Sequence, residues 1–358
     1  MTVISIPSPN PSKGKVLLTG GTGFVASHVL DSLLDHGYYL RFDVVVTARS
    51  DEKGRRIVKS IDSALGKQVS YVVVEDVARQ GAFDDAVQSD PPFDYVIHTA
   101  SPYQLRFDDP VKECLDPAIK GTTGILRSIK AHAPAVKRVV ITSSSAAMLS
   151  PPNHRPVYDE SCWSDVTWEQ AMDPAEAYRA SKKFAEKAAW DFIATESPNF
   201  DLATINNTYT FGPVPRSLAA LGQTTVNTSN RRIYDMVRGA MRARIAPTAP
   251  VFTFVDVRDV ALAHVRAMTV PEAGGMRFYV VGGFFSNMRI ARVIRRAYPA
   301  LAARVLPIEG EGGDDFPEDH WRFENRRSKE VLGLEYRGLE GSVRDTVESI
   351  LRFGGGEV

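Results

Sequence analysis

Tyr178 and Lys182 have the spacing of an acid–base pair on one face of a helix. They lie in a stretch whose pattern predicts a helix from about residue 175 to 194, and no other of the 12 tyrosines has a lysine four residues on. An unperturbed phenol has a pKa of about 10, and a neighbouring ammonium favours the phenolate and lowers that pKa. The pair therefore predicts proton transfer near neutral pH, although a surface Tyr/Lys pair has the same spacing.

Hydroxyl groups end the predicted strand that precedes this helix. The sequence there is Thr142-Ser143-Ser144-Ser145. In open parallel α/β sheets, ligands bind outside the carboxyl ends of the strands. These serines are therefore candidates for contacting a substrate, and a plain serine-rich turn is the alternative.

A glycine turn follows the first predicted strand, with Gly20, Gly23 and Ala26 in a GxxGxxA spacing that opens a helix. Glycine permits a tight turn and lets a pyrophosphate approach the main chain, and a small third residue lets the helix pack on the strand. Free N–H groups at the helix start favour phosphate. A plain turn is the alternative, but the strand before and the helix after favour a dinucleotide site.

The end of the second predicted strand distinguishes between two cofactors. A site for NAD would place Asp or Glu there, whereas this chain has Arg49, with Lys53 four residues on. Arginine accommodates a 2′-phosphate, so these residues predict NADPH/NADP+, unless Arg49 is only a surface residue. Asp76 and Val77, just past the third predicted strand, are candidates for bordering the adenine, and a turn-forming Asp is the alternative.

Short apolar strands alternate with helical patterns through the first half of the chain. This alternation predicts an α/β fold with a Rossmann-type doubly wound parallel sheet and a smaller C-terminal substrate-binding domain. We expect a loose N-terminal arm over 1–14, the dinucleotide-binding domain over 15–206 with its sheet completed by later segments, and a mainly substrate-binding, interleaved part over 207–358. The predicted strands are 15–19, 43–47, 69–74, 95–97, 138–142 and 201–205, and a helix is predicted near 231–241.

Composition excludes several classes of protein. The 43 basic and 43 acidic residues balance in 358, which removes the electrostatic argument for nucleic acid or an anionic membrane. The two cysteines form no disulfide framework, the seven histidines have no metal-ligand spacing, and no apolar run approaches a membrane span. We expect a cytoplasmic protein without a metal, and either a monomer or a homodimer.

Taken together, these motifs resemble an extended short-chain dehydrogenase/reductase of the dihydroflavonol reductase-like branch. Within that branch the chain is similar to yeast and fungal NADPH-dependent aldehyde, carbonyl and methylglyoxal reductases. The resemblance covers about residues 15 to 270 and is specific for the branch but not for a substrate. The matching segments are 19–28, 48–50 with Lys53, 94–102, 116–122, 142–144, 178–182, 211–213 and 254–261.

The resemblance implies a role for each site residue. Ser144 would polarise a carbonyl, Tyr178 would deliver the proton, and Lys182 would hold the nicotinamide ribose and lower the phenol pKa. The residues expected to contact the cofactor are Gly20, Thr22, Gly23, Phe24, Val25, Arg49, Lys53, Asp76, Val77, Thr99, Ala100, Ser101, Tyr178, Lys182, Asn207 and Tyr209. The expected walls of an apolar substrate pocket are Tyr103, Phe107, Met148, Tyr209 and Leu218.

One position departs from the family pattern. The family usually has Asn-Pro where this chain has Asn206-Asn207, beside the expected contact to the nicotinamide carboxamide. The resemblance implies an NADPH-dependent reductase that converts a small hydrophobic ketone or aldehyde to a chiral alcohol. Two alternatives remain: a nucleotide-sugar epimerase or dehydratase on the same fold, which Arg49 disfavours, and a noncatalytic NADP-sensing regulator, which the intact Tyr178/Lys182 pair disfavours.

Overall fold

A parallel sheet of seven strands forms the centre of the described chain. The computed structural model describes residues 13–35, 38, 41–61, 69–101, 108–215, 226–248, 250–307 and 313–353. The strands of this sheet are β1 (Gly14–Thr19), β2 (Phe42–Ala48), β3 (Val69–Val73), β4 (Tyr95–His98), β5 (Arg138–Thr142), β7 (Asp201–Asn207) and β10 (Arg277–Val280). Their order is β3-β2-β1-β4-β5-β7-β10, and every neighbouring pair is parallel. This order, which reverses between β1 and β4, confirms the predicted Rossmann-type fold.

Helices connect these strands and cover both faces of the sheet. They are α1 (Phe24–Asp35), α2 (Asp51–Ser60), α3 (Asp116–His132), α4 (Pro174–Glu196), α5 (Arg231–Val237), α6 (Val257–Thr269), α7 (Asn287–Ala297), α8 (Pro299–Val305), α9 (Arg326–Leu332) and α10 (Leu339–Phe353). The predicted helix near 231–241 is shorter than expected. It ends at Val237 because Gly239 takes a positive φ of 78°, a conformation that breaks the helix.

Alternating residues along each strand bury two apolar layers. In β1, Val16 and Leu18 pack in one cluster with α1 and α6, whereas Leu17 packs in a second cluster with α3 and α4. The side chains of successive strand residues point to opposite faces, so a continuous apolar strand can supply both clusters. The two layers hold the strand ends rigidly, and those ends carry the candidate site.

Residues beyond the main strands form two smaller sheets and a further core. One sheet consists of β8 (Tyr209–Phe211), β9 (Thr253–Asp256) and β11 (Gly283–Phe284), and the other of β6 (Val157–Tyr158) and β12 (Arg322–Phe323). An apolar cluster joins β8 and β9 to α5, α7, α8 and α10. Because β10 and α6 lie in the layers of the main sheet, the chain returns to the first part after leaving it. The division near residue 206 stays a prediction.

The predicted N-terminal arm falls mostly outside the described residues, which begin at position 13. Strand β1 begins at Gly14, one residue before the predicted start of the dinucleotide-binding domain. Its first amide is paired, since the Gly14 N–H donates to the Arg41 carbonyl oxygen at 2.8 Å. The ordered sheet therefore includes the last residue of the expected arm.

Candidate active site

The glycine turn joins β1 to α1 and leaves no room for side chains. Gly20 has a φ of +73°, and a Cβ there would lie 3.1 Å from the Ala100 backbone beyond β4. The turn is held to the end of β2, because the Gly20 N–H donates to Thr47 Oγ1 at 3.0 Å and the Gly21 N–H to the Thr47 carbonyl oxygen at 2.9 Å. The result is a bare backbone cradle at the N-terminus of α1, which fits a phosphate group.

The end of β2 brings the predicted phosphate-binding cations next to this turn. Arg49 is exposed and directly follows β2, and Lys53 lies in the first turn of α2. Ser50 caps that helix, since its hydroxyl accepts a hydrogen bond from the Lys53 N–H at 3.4 Å. The cap fixes the start of α2 directly after β2, so Arg49 and Lys53 lie near the same strand end.

Asp76 is part of a local turn after β3. Its carboxylate accepts a hydrogen bond from the Ala78 N–H at 2.9 Å, and the side chain is exposed. Val77 lies over α3, where a Cβ at Gly121 would be 3.6 Å from its side chain. The turn-forming alternative for Asp76 is therefore realised, and the predicted adenine contact of both residues stays a prediction.

Residues after β4 connect the glycine turn to helix α4. Thr99 donates to the Thr19 carbonyl oxygen at 2.6 Å, and the Ala100 N–H donates to Thr19 Oγ1 at 3.1 Å. Ser101 Oγ accepts a hydrogen bond from Lys182 Nζ at 3.1 Å. The end of β4 thus brings the glycine turn and the predicted catalytic lysine together.

Tyr178 and Lys182 lie on α4, as their spacing predicted. The helix begins because Asp173 caps it, accepting a hydrogen bond from the Ala175 N–H at 2.9 Å, and because Pro174 occupies the first turn. Lys182 Nζ is 5.6 Å from the centroid of the Tyr178 ring. An ammonium at this distance stabilises negative charge that develops on the phenol.

Ser144 lies at the carboxyl end of β5, at the same edge of the sheet. Its hydroxyl oxygen accepts a hydrogen bond from the Ala146 N–H at 3.1 Å, which starts a single 3₁₀ turn over Ser145–Ala147. Because the oxygen acts as acceptor in this contact, the hydroxyl proton can be donated to another group. Ser144 therefore suits a role as hydrogen-bond donor to a polar ligand.

Burial shapes the electrostatics around Lys182. Desolvation lowers the pKa of the Lys182 ammonium to about 8. It also lowers the pKa of His98 to about 3, with the Lys182 charge adding to the effect. His98 bonds Thr19 Oγ1 through Nδ1 at 2.9 Å, while its Nε2 has no hydrogen-bond partner within the part of the chain that the structure describes. His98 is therefore neutral at physiological pH.

A small cavity lies beside these groups, beneath the carboxyl edge of the sheet. Its wall brings together buried polar side chains from β4, β5 and α4. The lining residues are His98, Ala100, Ser101, Ala118, Thr122, Ile141, Thr142, Ser143, Lys182, Ala185 and Glu186. Lys182 forms part of this wall, so its ammonium lies among polar groups and not in a purely apolar pocket.

The predicted substrate-pocket residues have different outcomes. Tyr103, Phe107 and Leu218 lie outside the described residues. Tyr209 is half-buried in β8, with the Arg232 guanidinium 4.6 Å from its ring centroid. Met148 has no exposed surface and packs in an apolar cluster with Tyr158 and Trp321, among others. A pocket wall must present surface to its ligand, so Met148 is a core residue in this structure.

Asn207 ends β7, where the family pattern has proline. Its Nδ2 donates to Thr210 Oγ1 at 2.9 Å. Its Oδ1 is buried and lacks a hydrogen-bond partner among the described residues. Within the described residues the local turn therefore engages the Nδ2 group of Asn207 but not its Oδ1. A contact of Asn207 with the cofactor stays a prediction.

Sequence reasoning missed the buried carboxylate of Glu186. It lies one turn beyond Lys182 on α4. Its carboxylate accepts hydrogen bonds from a residue just after β5 and from residues of β7 and β10. The four-residue spacing from Lys182 was a signal that it shares the same helix face. Nothing in the local sequence indicated its partner Arg277, which is 91 residues away.

The described residues contain no group of three or more His, Cys, Asp or Glu side chains placed to hold a metal ion. Among the same residues, no helix combines the length and apolarity that crossing a membrane requires. The polar groups at the carboxyl edge include several hydroxyls, the Tyr178 phenol and the Lys182 ammonium, next to a backbone cradle for phosphate. This set fits a dinucleotide and a group that undergoes proton transfer.

Comparisons with known proteins agree with this arrangement. Residues 16–282 match the protein-family model described as the NAD dependent epimerase/dehydratase family. The chain is 53% identical over 337 residues to the ketoreductase azaE of Aspergillus niger, covering 94% of this chain and 97% of that protein. It is 33% identical over 350 residues to the NADPH-dependent methylglyoxal reductase GRE2 of Saccharomyces cerevisiae, covering 95% and 99%.

A solved structure shows the same architecture. The crystal structure of Gre2 in complex with NADPH from Candida albicans superposes with a TM-score of 0.86 at 35% identity, covering 95% of this chain and 99% of that one. The similarity extends over both parts of the molecule and not only over the dinucleotide turn. A close relative of this chain therefore binds NADPH.

Proposed function

The chain belongs to the NAD dependent epimerase/dehydratase family, the extended short-chain dehydrogenases/reductases, and from this premise we propose that it is an NADPH-dependent carbonyl reductase. It is an oxidoreductase of that family, and the proposal adds the cofactor, the substrate class and the residues that act. The main support for the proposal is that Lys182 contacts both Ser101 and the Tyr178 ring at the carboxyl edge of the sheet, where the glycine turn also lies.

The cofactor is NADPH, because the residue directly after β2 is Arg49 and not the Asp or Glu that an NAD site places there. The bare turn at Gly20 accepts the pyrophosphate, and Arg49 with Lys53 binds the 2′-phosphate through charge-assisted hydrogen bonds. Lys182, with Ser101, holds the ribose next to the nicotinamide. When bound, NADPH supplies the hydride that reduces the substrate carbonyl.

Two side chains of this protein act on the substrate oxygen, and a third supports the proton donor. Ser144 donates a hydrogen bond that strengthens as the oxygen becomes negative. Tyr178 donates its proton to that oxygen, which completes the alcohol. Lys182 keeps its ammonium 5.6 Å from the Tyr178 ring, so it stabilises the phenolate that proton transfer leaves behind.

The substrate is a hydrophobic ketone or aldehyde. The supporting observations are the similarity to a ketoreductase, a methylglyoxal reductase and an aldehyde reductase, and the aromatic ring of Tyr209 at the start of the C-terminal part. Because Ser144 and Tyr178 hold the oxygen in one orientation, pocket shape alone sorts the two substituents of a prochiral ketone. A ketone with one bulky and one small substituent should then give mainly one alcohol enantiomer.

The test is a panel of aldehydes, aryl methyl ketones and β-keto esters, followed by the loss of NADPH absorbance, with chiral chromatography of the alcohols. We expect turnover with NADPH and an excess of one enantiomer. Turnover confined to nucleotide sugars would support the epimerase or dehydratase alternative. Tight NADPH binding without turnover of any carbonyl compound would instead support the sensor alternative.

A further inference from the structure

Glu186 lies on the catalytic face of α4, but the chemistry proposed above does not use it. It follows Lys182 by one helical turn and Tyr178 by two, so the three side chains project from the same side of the helix. Its side chain is only 1% exposed. A carboxylate at that depth requires dense hydrogen bonding, since an unpaired buried charge is costly.

Five donors surround the Glu186 carboxylate. Oε2 accepts hydrogen bonds from Ser143 Oγ at 2.5 Å and from Asn206 Nδ2 at 2.6 Å. Oε1 accepts from Arg277 Nε at 2.6 Å, Thr204 Oγ1 at 3.1 Å and Trp190 Nε1 at 3.3 Å. These donors come from the end of β5, from β7 and β10, and from α4 itself. One carboxylate therefore ties the helix to three neighbouring strands.

The same contacts reach Ser144. Asn206 Nδ2 also lies 3.4 Å from the Ser144 carbonyl oxygen, to which it donates. The Ser143 N–H donates to the Ile205 carbonyl oxygen at 2.9 Å, so β7 holds the backbone just before Ser144. The path from Ser144 to the helix that carries Tyr178 thus runs through Asn206 and Glu186, with no flexible loop between them.

Arg277 is itself held tightly. Its guanidinium donates to the carbonyl oxygens of Glu160 at 2.6 Å and Cys162 at 2.8 Å. It also stacks 3.8 Å from the centroid of the Trp163 ring. Arg277, the charged partner of Glu186, is therefore fixed by contacts of its own, which supports the carboxylate as an anchor between helix and sheet.

We propose that Glu186 is a positioning residue that sets the separation between the Ser144 hydroxyl and the Tyr178/Lys182 face of α4. The inference rests on the proposed function, because it assumes that Ser144 and Tyr178 act on the same oxygen. A small displacement between two such groups lowers the rate of the chemical step more than it affects binding. The structural signature of this role is one buried anion that connects both catalytic elements.

The test compares Glu186→Gln with Asp201→Asn. Asp201 pairs with Arg138 at 2.6 Å and also connects β5 to β7, but at the opposite ends of these strands. We expect Glu186→Gln to lower kcat about ten- to hundredfold with nearly unchanged KM and NADPH dissociation constant. Asp201→Asn should lower the melting temperature and leave kcat unchanged. Equal kcat values in both variants and wild type would overturn the proposal.

A second background separates positioning from general loss of structure. In Tyr178→Phe no proton donor is left to place, so adding Glu186→Gln should lower the residual rate far less than it does in wild type. An equal loss in both backgrounds would show that Glu186 only supports folding. If Tyr178→Phe itself retains full activity, the proposed function fails, which is a different outcome.

Ser143→Ala covers the case in which Glu186→Gln does not fold. This change deletes a single hydroxyl that donates to Glu186 and leaves the pair with Arg277 intact. We expect a fall in kcat of about threefold, with NADPH affinity measured by fluorescence unchanged. A Ser143→Ala protein with wild-type kcat would contradict the proposed path from Glu186 to Ser144.

Discussion

Lys182 and Lys137 lie at opposite edges of the parallel sheet, and their surroundings shift their pKa values in opposite directions. Lys182, at the carboxyl edge, has its pKa lowered to about 8 by burial. Lys137, just before β5 at the amino edge, has its pKa raised by Asp94, whose carboxylate is 2.8 Å away. The Lys182 ammonium loses hydration on burial, which disfavours its charged form, whereas the Lys137 ammonium gains the Asp94 carboxylate, which favours its charged form.

The same difference extends to the neighbouring groups. At the carboxyl edge, His98 keeps an unpartnered buried Nε2 among the described residues, and Lys182 contacts Ser101 through an ordinary hydrogen bond. At the amino edge, the Arg138 guanidinium donates to both Asp201 oxygens and to three carbonyl oxygens around the end of α6. The carboxyl edge keeps an unpartnered imidazole nitrogen near the Lys182 ammonium, whereas the amino edge pairs its charged groups and closes the fold.

The largest expected effect is on the rate. Tyr178→Phe should lower kcat by about 10²–10⁴ because it removes the proton donor, while NADPH binding is retained. Tyr95→Phe is the matched control, since Tyr95 begins β4 at the amino edge. Steady-state kinetics and NADPH fluorescence measure both variants. Near-normal turnover in Tyr178→Phe, or an equal loss of turnover in Tyr95→Phe, would contradict the assignment of catalysis to the carboxyl edge of the sheet.

The next effect is on stability. Arg138→Met should lower the free energy of unfolding by about 1–3 kcal/mol, because it leaves several carbonyl oxygens without their donor, while the half-exposed Asp201 carboxylate can turn to water. Urea denaturation measures this change, and kcat at 25 °C should stay within about twofold of wild type. A large fall in kcat with little loss of stability would show that the amino edge also serves catalysis.

A smaller effect concerns cofactor choice at the two ends of β2. Arg49→Ala should reduce the preference for NADPH over NADH by about ten- to hundredfold through KM, as expected for the loss of charge-assisted hydrogen bonds. Arg41→Ala, just before β2, should leave the preference unchanged because its guanidinium lies 5.6 Å from the Phe42 ring centroid at the amino edge. Unchanged selectivity in Arg49→Ala would make Arg49 an ordinary surface residue.

The smallest effect reports the opposite pKa shifts directly. The pKa of Lys182 is about 8 in the folded protein, against an ordinary value of 10.5. Below pH 8 the lysine is charged in both the folded and the unfolded state, so burying the ammonium lowers the free energy of unfolding. This loss of stability shrinks as the pH rises from 8 towards 10.5, because the buried lysine releases its proton first. Lys182→Met should therefore stabilise the protein at pH 7 by about 2 kcal/mol, a value reduced for the partial exposure of the residue.

The corresponding control is Lys137→Met, which removes an exposed ion pair with Asp94 and should cost less than about 1 kcal/mol. Urea unfolding of both variants at pH 7, 8, 9 and 10 gives the comparison. The advantage of Lys182→Met over wild type should shrink with rising pH. A constant advantage, or a loss of stability at pH 7, would contradict the burial of a charged ammonium.

Local spacing was enough to predict the parallel sheet, the glycine turn and the Tyr178/Lys182 face. Strand and helix periodicities describe which side of an element is apolar, and both signals lie within about ten residues of each other along the chain. Strand β5 and helix α4 accordingly lie within two residues of their predicted bounds. The cap at Asp173 and the turn at Gly20 are equally local.

Contacts between distant segments were decided only by the tertiary structure. The bond from Lys182 to Ser101 spans 81 residues, and the bond from Arg277 to Glu186 spans 91. Met148 is apolar, as a residue of a substrate pocket would be, yet the fold buries it in the core next to β6 and β12. A sequence pattern specifies the face of a helix or strand from which a side chain projects. The residue that this side chain then contacts depends on which strands become neighbours in the sheet, and local sequence does not determine that order.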